Sequence, residues 1–228
     1  MNAPARVVGA GGSIFQQALG EDFHRLHPKL QWRCALAPGD GVFQIGRGTM
    51  EEIRRAWWAK PVLAAIAARR ILCPEQGREV AFTIEGHAYV DRFGRSTLAA
   101  SRRFRFPGRF RRSDSTTVYD ERQRCLVDYL GTNQNLSTQL RATVDEQGAL
   151  CLSSAGSRLH LGPVSFVVPS SLAGTARVRE WWDVSRQRFG IDVQVQTPIG
   201  ELLAYRGFFD LAEHPYQQTG TPPDARSL

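Results

Sequence analysis

The residues that could carry chemistry cluster near the end of the chain. Glu180 precedes Trp181 and Trp182, and Arg206 follows Tyr205 in a mostly apolar run. Because a charge in an apolar strand needs a partner, we predict that Glu180 and Arg206 meet as a buried ion pair. Such a pair would tie two strands together, or it would anchor the polar end of an apolar ligand.

A second candidate pair lies earlier in the chain. Glu85 and His87 are two residues apart in an alternating segment, which places both on one strand face about 7 Å apart. A carboxylate beside an imidazole can act as a general acid and base, and such pairs also occur on wet sheet faces. The candidate catalytic groups are therefore Glu180, His87 and Tyr205, with Arg206 as the stabiliser of an anion.

The segment 102–112, from Arg102 to Arg112, holds six arginines and three phenylalanines. Arginines interleaved with aromatic rings suit phosphates and stacked bases. A turn in the middle of the segment would make it a hairpin. Alternation then places Phe104 and Phe106 on one face and Arg103 on the other. This pattern predicts a basic outer face, with Arg103 as a candidate ligand contact.

No motif predicts a cofactor or a metal site. The N-terminal VVGAGG resembles the start of a dinucleotide fingerprint, but Ile14 stands where the third glycine would be and no βαβ unit follows. The four cysteines are scattered singly, and His24 and His27 have no further ligands nearby. We therefore expect no bound cofactor and no metal.

Size and composition indicate one domain. The chain has 228 residues, is 42% hydrophobic and carries a net charge of +7. This length suits a single domain, which we place at residues 13–212 with flexible tails at 1–12 and 213–228. No apolar run approaches the roughly 18 residues of a membrane span, and the first residues do not form a secretory signal. A cytoplasmic location is expected.

Two helical segments are predicted to come first. Ser13 and Gln16 form a capping box, which opens a helix that runs to residue 30. A second box, Thr49 with Glu52, predicts a helix that ends near Leu72, and residues 32–36 form a short extended piece between the two. The second helix combines tryptophan with a basic face. This combination suits packing on a sheet and also allows peripheral contact with a membrane.

The rest of the chain is predicted to be β-structure. From residue 78 onward, short alternating runs are separated by turn signals every 8 to 12 residues, as in an antiparallel sheet. Ile191, Val193 and Val195 illustrate the alternation. The predicted class is α+β, with N-terminal helices packed on a large, strongly curved antiparallel β-sheet or partly closed β-barrel. Such a sheet can enclose a cavity.

Several segments carry a resemblance to a known family. They are Ala18-Leu19-Gly20 with Phe23 and Leu26, Gly46-Arg47-Gly48, Arg103-Phe104, Glu180, Pro198-Ile199-Gly200 and Tyr205-Arg206-Gly207. In this order they resemble the bacterial family called domain of unknown function 4166, over residues 14–211. Where that family has a histidine near the end of its first helical region, this chain has Arg33 and Cys34.

The resemblance implies a role beside dehydrogenases. Members of the family stand alone or follow NAD(P)-binding domains like those of short-chain and saccharopine dehydrogenases. By analogy, the chain is expected to be a substrate- or lipid-handling module with a dehydrogenase-type partner enzyme.

Three functions are compatible with the sequence. The first is binding of a hydrophobic small molecule or lipid in an internal cavity, through Arg206, Tyr205, Glu180, Trp182 and Arg103. The second is a cofactor-independent isomerase or cyclase acting on an apolar substrate. The third is a basic module that binds an anionic membrane or nucleic acid through the segment 102–112, which carries no recognised nucleic-acid-binding signature.

Overall fold

The structure is a computed structural model that describes residues 12–67, 70–71, 74–131, 133–161, 164–168 and 174–216. Its helices are α1 (Ile14–Leu19), a 3₁₀ helix (Gly20–Arg25), α2 (Pro28–Cys34), a 3₁₀ turn (Trp57–Ala59) and α3 (Lys60–Ala67). Its strands are β1 (Val42–Arg55), β2 (Gly77–Val90), β3 (Ser96–Phe106), β4 (Arg109–Asp120), β5 (Cys125–Leu130), β6 (Leu136–Val144), β7 (Leu150–Leu161), β8 (Val164–Val168), β9 (Thr175–Asp183), β10 (Arg188–Thr197) and β11 (Gly200–Pro215).

Ten of the strands in the described part of the chain form a closed ring. Their order is β6-β5-β4-β3-β2-β1-β11-β10-β9-β7, and β7 pairs back to β6. Every pairing between them is antiparallel, and β8 pairs with β7 outside the ring. The predicted curved antiparallel sheet is therefore confirmed. It closes completely into a barrel, and the protein is mostly β-structure.

Side chains of each strand point alternately into and out of the barrel. The alternation predicted for β10 is confirmed, since Ile191, Val193 and Val195 are all buried in the core. One glycine permits a close approach between strands. A Cβ atom at Gly48 on β1 would lie 2.0 Å from the backbone oxygen of Phe208 on β11. Without a side chain at that position the two strands can pair.

The N-terminal helices pack against the inner face of the barrel. Leu26, Leu30 and Cys34 belong to the same buried cluster as the inward-facing residues of β10 and β11. Ile14 belongs to a second buried cluster with Leu126 of β5 and Leu140 of β6. Both buried clusters therefore combine helix and strand residues. Within the described residues, no helix is both long enough and apolar enough to cross a bilayer.

The first predicted helix is confirmed in its position, but it is divided into α1, the 3₁₀ helix and α2. The capping box at its start is confirmed, because Ser13 Oγ accepts from the Gln16 backbone and the Gln16 side chain accepts from the Ser13 backbone. The helix then breaks at Gly20, whose φ of 55° is left-handed, and starts again at Pro28. The extended piece predicted at 32–36 is wrong for residues 32–34, which are the last turn of α2.

The second predicted helix is wrong at its start. Thr49 and Glu52 lie in β1, which is hydrogen-bonded to β2 on one side and to β11 on the other. These long-range pairings outweigh the local capping pattern. Helix α3 covers only Lys60–Ala67, and Leu72 lies outside the described residues.

The predicted end of the domain at residue 212 falls inside β11, which continues to Pro215. Residues 1–11 and 217–228 of the predicted tails lie outside the described part of the chain.

Candidate ligand-binding site

A cavity of about 120 Å³ lies inside the barrel. Side chains from all ten ring strands line it, together with residues of α1 and α2. Most of the lining is apolar, including Phe15, Leu98, Leu126, Ile191 and Val193. Into this apolar space project a small number of charged and polar groups, which is the usual composition of a small-molecule site.

The first charged pair in the cavity is Arg33 with Glu180. Arg33 Nε donates to Glu180 Oε2 at 2.7 Å, and Nη2 donates to Oε1 at 2.8 Å. The two side chains are only 14% and 11% exposed. Burial opposes the charge of Arg33, but the adjacent Glu180 carboxylate outweighs it and raises the Arg33 pKa. Arg33 therefore keeps its charge in the interior, where the Glu180 carboxylate accepts two of its hydrogen bonds.

Cys34 follows Arg33 on α2 and also lines the cavity. Burial raises the pKa of its thiol to about 12, so the thiol is protonated and is a poor nucleophile at neutral pH.

Arg102 and Asp128 are the other two charged residues that line the cavity, and they lie on β3 and β5, the strands on either side of β4. Arg102 Nη1 donates to Ser115 Oγ at 3.1 Å, and Thr117 Oγ1 donates to Asp128 Oδ1 at 2.7 Å. Burial raises the pKa of Asp128, while the Arg102 charge and the hydrogen bonds from Thr117 and Ser115 oppose the rise. Among the described residues, no carboxylate forms an ion pair with Arg102 within 4 Å.

The Arg33–Glu180 pair and the residues Arg102 and Asp128 lie on opposite walls of the cavity. Arg102 is on β3 and Glu180 is on β9, which are five places apart in the ring of ten strands. Tyr205 on β11 faces the same cavity and packs edge-on against Phe104 at 6.1 Å. The cavity thus offers hydrogen-bonding groups on two sides and apolar side chains between them.

The prediction that Glu180 pairs with Arg206 is wrong. On β11 the residues Tyr205 and Gly207 occupy the inward positions, so alternation turns Arg206 outward. Arg206 is exposed, and its guanidinium lies 5.3 Å from the ring centre of Trp181 on the outer surface. Arg33 takes the place that the sequence had suggested for Arg206.

Glu85 and His87 also face away from the cavity. Glu85 lies 3.7 Å from Arg103, which is exposed on the neighbouring strand. His87 Nδ1 lies 3.0 Å from Tyr216 Oη, and its ring stacks on Phe43 at 4.9 Å. The two residues share a strand face as predicted, but that face is the outer one.

Trp182 points inward without lining the cavity. Its indole packs edge-on against Phe189 at 5.0 Å, and Lys29 lies 5.3 Å from the ring centre. Of the five predicted ligand contacts, only Glu180 and Tyr205 therefore reach the cavity.

The basic segment divides between the two faces as its alternation predicts. Phe104 and Phe106 are 4% and 5% exposed, whereas Arg103 is exposed. Several of its arginines have acidic partners. Arg111 Nη2 donates to Glu75 at 2.5 Å, and the neighbouring arginines of β4 also contact Glu75 or Asp114. Much of the positive charge of the segment is thus neutralised within the chain.

The sequence reasoning missed Arg33, Arg102 and Asp128 as cavity residues. For Arg102 a signal was present, because it has the same parity as Phe104 and Phe106 and must share their inward face. Asp128 likewise shares the parity of Leu126. For Arg33 there was no such signal, since its partner Glu180 is 147 residues away in the chain.

Metal ligands do not converge in the part of the chain that the structure describes, where no group of three or more His, Cys, Asp or Glu side chains could hold an ion. Cys34, Cys125 and Cys151 are free thiols, and Cys73 lies outside the described residues.

Comparison with known proteins identifies the family. The family model described as "Domain of unknown function (DUF4166)" matches residues 26–209. The chain is also 30% identical over 203 residues to the uncharacterized protein YndH of Bacillus subtilis (strain 168), a match that covers 88% of this chain and 98% of the relative. The chain therefore belongs to the DUF4166 family.

Proposed function

We propose that this member of the DUF4166 family binds a small, mainly apolar molecule inside its barrel. The observation that carries the proposal is the cavity, in which apolar side chains separate polar groups on opposite walls. An interior that served stability alone would gain from apolar side chains in place of buried charges. The charged groups that face the cavity support a role in orienting a guest.

The size of the cavity limits the guest. A volume of about 120 Å³ is well below the roughly 300–1,000 Å³ of pockets that hold drug-sized ligands. It is closer to the engineered apolar cavity of about 150 Å³ that binds benzene. A compact molecule of about six non-hydrogen atoms suits this space better than a full lipid, whose acyl chain would require the N-terminal helices to move.

A cavity-filling substitution tests the proposal. Ala100 lines the cavity, whereas the adjacent Ala99 lies on the outer face of β3. We expect Ala100→Leu to abolish binding of butan-1-ol measured by calorimetry, while the matched control Ala99→Leu binds it as the wild type does. Native mass spectrometry of freshly purified wild-type protein is expected to show a small bound molecule. Equal binding by both variants would refute the interior site.

Acid–base chemistry on the bound molecule is a second candidate, because Asp128 and Tyr205 face the same cavity. Glu180 is less suited to this role, since both of its oxygens accept hydrogen bonds from Arg33. An enzyme that moves a proton on a carbon atom would exchange that proton with solvent. Incubation of the co-purifying molecule with the protein in D₂O should then add deuterium to it, and an unchanged mass would exclude this candidate.

A further inference from the structure

We propose that the guest is a small monocarboxylate whose carboxylate lies against the Arg102 guanidinium beside Asp128. This inference rests on the proposed function and deepens it by naming the chemical class of the ligand. It depends on three features of the cavity: the pairing of each arginine, the apolar surface beside Arg102, and the total charge of the lining.

Arg102 is the cavity arginine with donors to spare. Arg33 directs two of its nitrogens at the two oxygens of Glu180. Arg102 instead donates one hydrogen bond to a neutral hydroxyl, that of Ser115. A guanidinium carries five N–H donors in a planar fork that matches a carboxylate. An incoming carboxylate would therefore find a charged fork without having to break an existing ion pair.

The neighbours of Arg102 leave room for the rest of such a ligand. On its own strand the next inward residues are Ala100 and Phe104, and Ala100 is small. Leu98 and Leu126 extend the apolar surface along the same wall. A short hydrocarbon chain attached to the carboxylate would contact these groups and be removed from water.

Asp128 determines how the charge is balanced. The groups that face it are Arg102 on β3, Ser115 and Thr117 on β4, and Thr138 on β6. The other ionisable groups lining the cavity are Arg33, Cys34, Glu180 and Tyr205.

With both arginines and both acids ionised, the lining is neutral. A guest carboxylate then adds an unbalanced negative charge beside Asp128, whose pKa burial already raises. The carboxylate would raise that pKa further, so binding takes up a proton at Asp128. The protonated carboxyl can then donate a hydrogen bond to the guest. Affinity for a carboxylate should therefore decrease as the pH rises, by up to about tenfold per unit.

Calorimetric titration with butanoate and with butan-1-ol separates the two proposals. The variants are Arg102→Gln and the matched control Arg103→Gln, in which the adjacent outward arginine is replaced. We expect the wild type and Arg103→Gln to bind butanoate about ten- to a hundredfold more tightly than the alcohol, as a charge-assisted hydrogen bond predicts. We expect Arg102→Gln to bind both equally.

Each contrary result has a distinct meaning. Equal affinity of the wild type for the two molecules, or a preference for butanoate that survives Arg102→Gln, would overturn the carboxylate inference and leave the interior site standing. Binding of neither molecule would overturn the proposed function itself.

If Arg102→Gln does not fold, Asp128→Asn provides the test. The wild-type affinity for butanoate should decrease as the pH rises, because burial already raises the pKa of Asp128, and that of Asp128→Asn should not. A wild-type affinity that does not change with pH would overturn the placement of the carboxylate beside Asp128.

Discussion

Removal of one partner of the Arg33–Glu180 pair should strongly destabilise the protein. In Glu180→Gln, the Arg33 guanidinium stays in a site where its side chain is 14% exposed, and it loses both charged hydrogen bonds. An uncompensated buried charge of this kind costs about 3–5 kcal/mol. With a urea m value of about 2 kcal/mol/M, a loss of 3 kcal/mol lowers the midpoint of unfolding by about 1.5 M.

The pair Arg54–Glu201 provides a matched control. It has the same two-pronged geometry, at 2.7 and 3.1 Å, but lies on the surface with side chains 53% and 28% exposed. A surface pair contributes about 0–1 kcal/mol, so Glu201→Gln should shift the midpoint by less than about 0.5 M. Urea unfolding followed by circular dichroism measures both variants.

The double variant Arg33→Met/Glu180→Leu sharpens the test. Because apolar replacements remove both charges at once, its stability should return to within about 1 kcal/mol of the wild type, or exceed it. The reasoning fails if Glu180→Gln costs no more than Glu201→Gln, because the interior pair would then be as well solvated as the surface one.

Three further predictions concern other parts of the barrel. Gly48→Ala would place a methyl group against the backbone of Phe208, and we expect it to lower the free energy of unfolding in urea by about 3 kcal/mol. The control Gly156→Ala meets only ordinary contacts and should cost less than about 1 kcal/mol. Equal losses in the two variants would contradict this prediction. Burial raises the pKa of Cys34 to about 12, so iodoacetamide at pH 8 should modify Cys34 only after the protein is unfolded. Peptide mapping measures the modification. Labelling of Cys34 in the folded protein would contradict this prediction, because it would show the site to be open to solvent. Burial lowers the pKa of His87 from 6.5, so the unfolded chain binds a proton at a higher pH than the folded protein does. The free energy of unfolding should therefore decrease as the pH falls below about 6.5. His87→Phe should reduce the slope of the free energy of unfolding against pH, and an unchanged slope would refute this prediction.

Local patterns in the sequence were enough to predict the strands after residue 78 and the alternation within several of them. Ile191 and Val193 alternate with polar residues and do point inward, and the hairpin that places Phe104 inside and Arg103 outside is also present. The same rule of parity, applied to Arg102, would have placed a guanidinium in the interior. The hypothesis of a basic binding module instead groups Arg102 with the outward-facing arginines of the segment 102–112.

Features that depend on distant residues could not be predicted. Closure of the barrel requires β1 to pair with β11, and nothing local in either strand specifies the other. The same pairing explains why Thr49 and Glu52 form a strand in spite of their capping pattern. The partner of Glu180 could not be predicted for the same reason. Glu180 is recognisable as a buried acid, but Arg33 lies on an N-terminal helix 147 residues away in the chain.

Methyl NMR during titration with butan-1-ol tests the interior site most directly. The alcohol is uncharged, so the result does not depend on the carboxylate inference. Leu98, Leu126 and Val193 line the cavity, whereas Val184 and Ile199 are 66% and 75% exposed on the outside. We predict saturable shifts of the methyl groups of the three inward residues and none of those of the two outward residues. Shifts confined to Val184 and Ile199, or no shifts at all, would contradict a binding site inside the barrel.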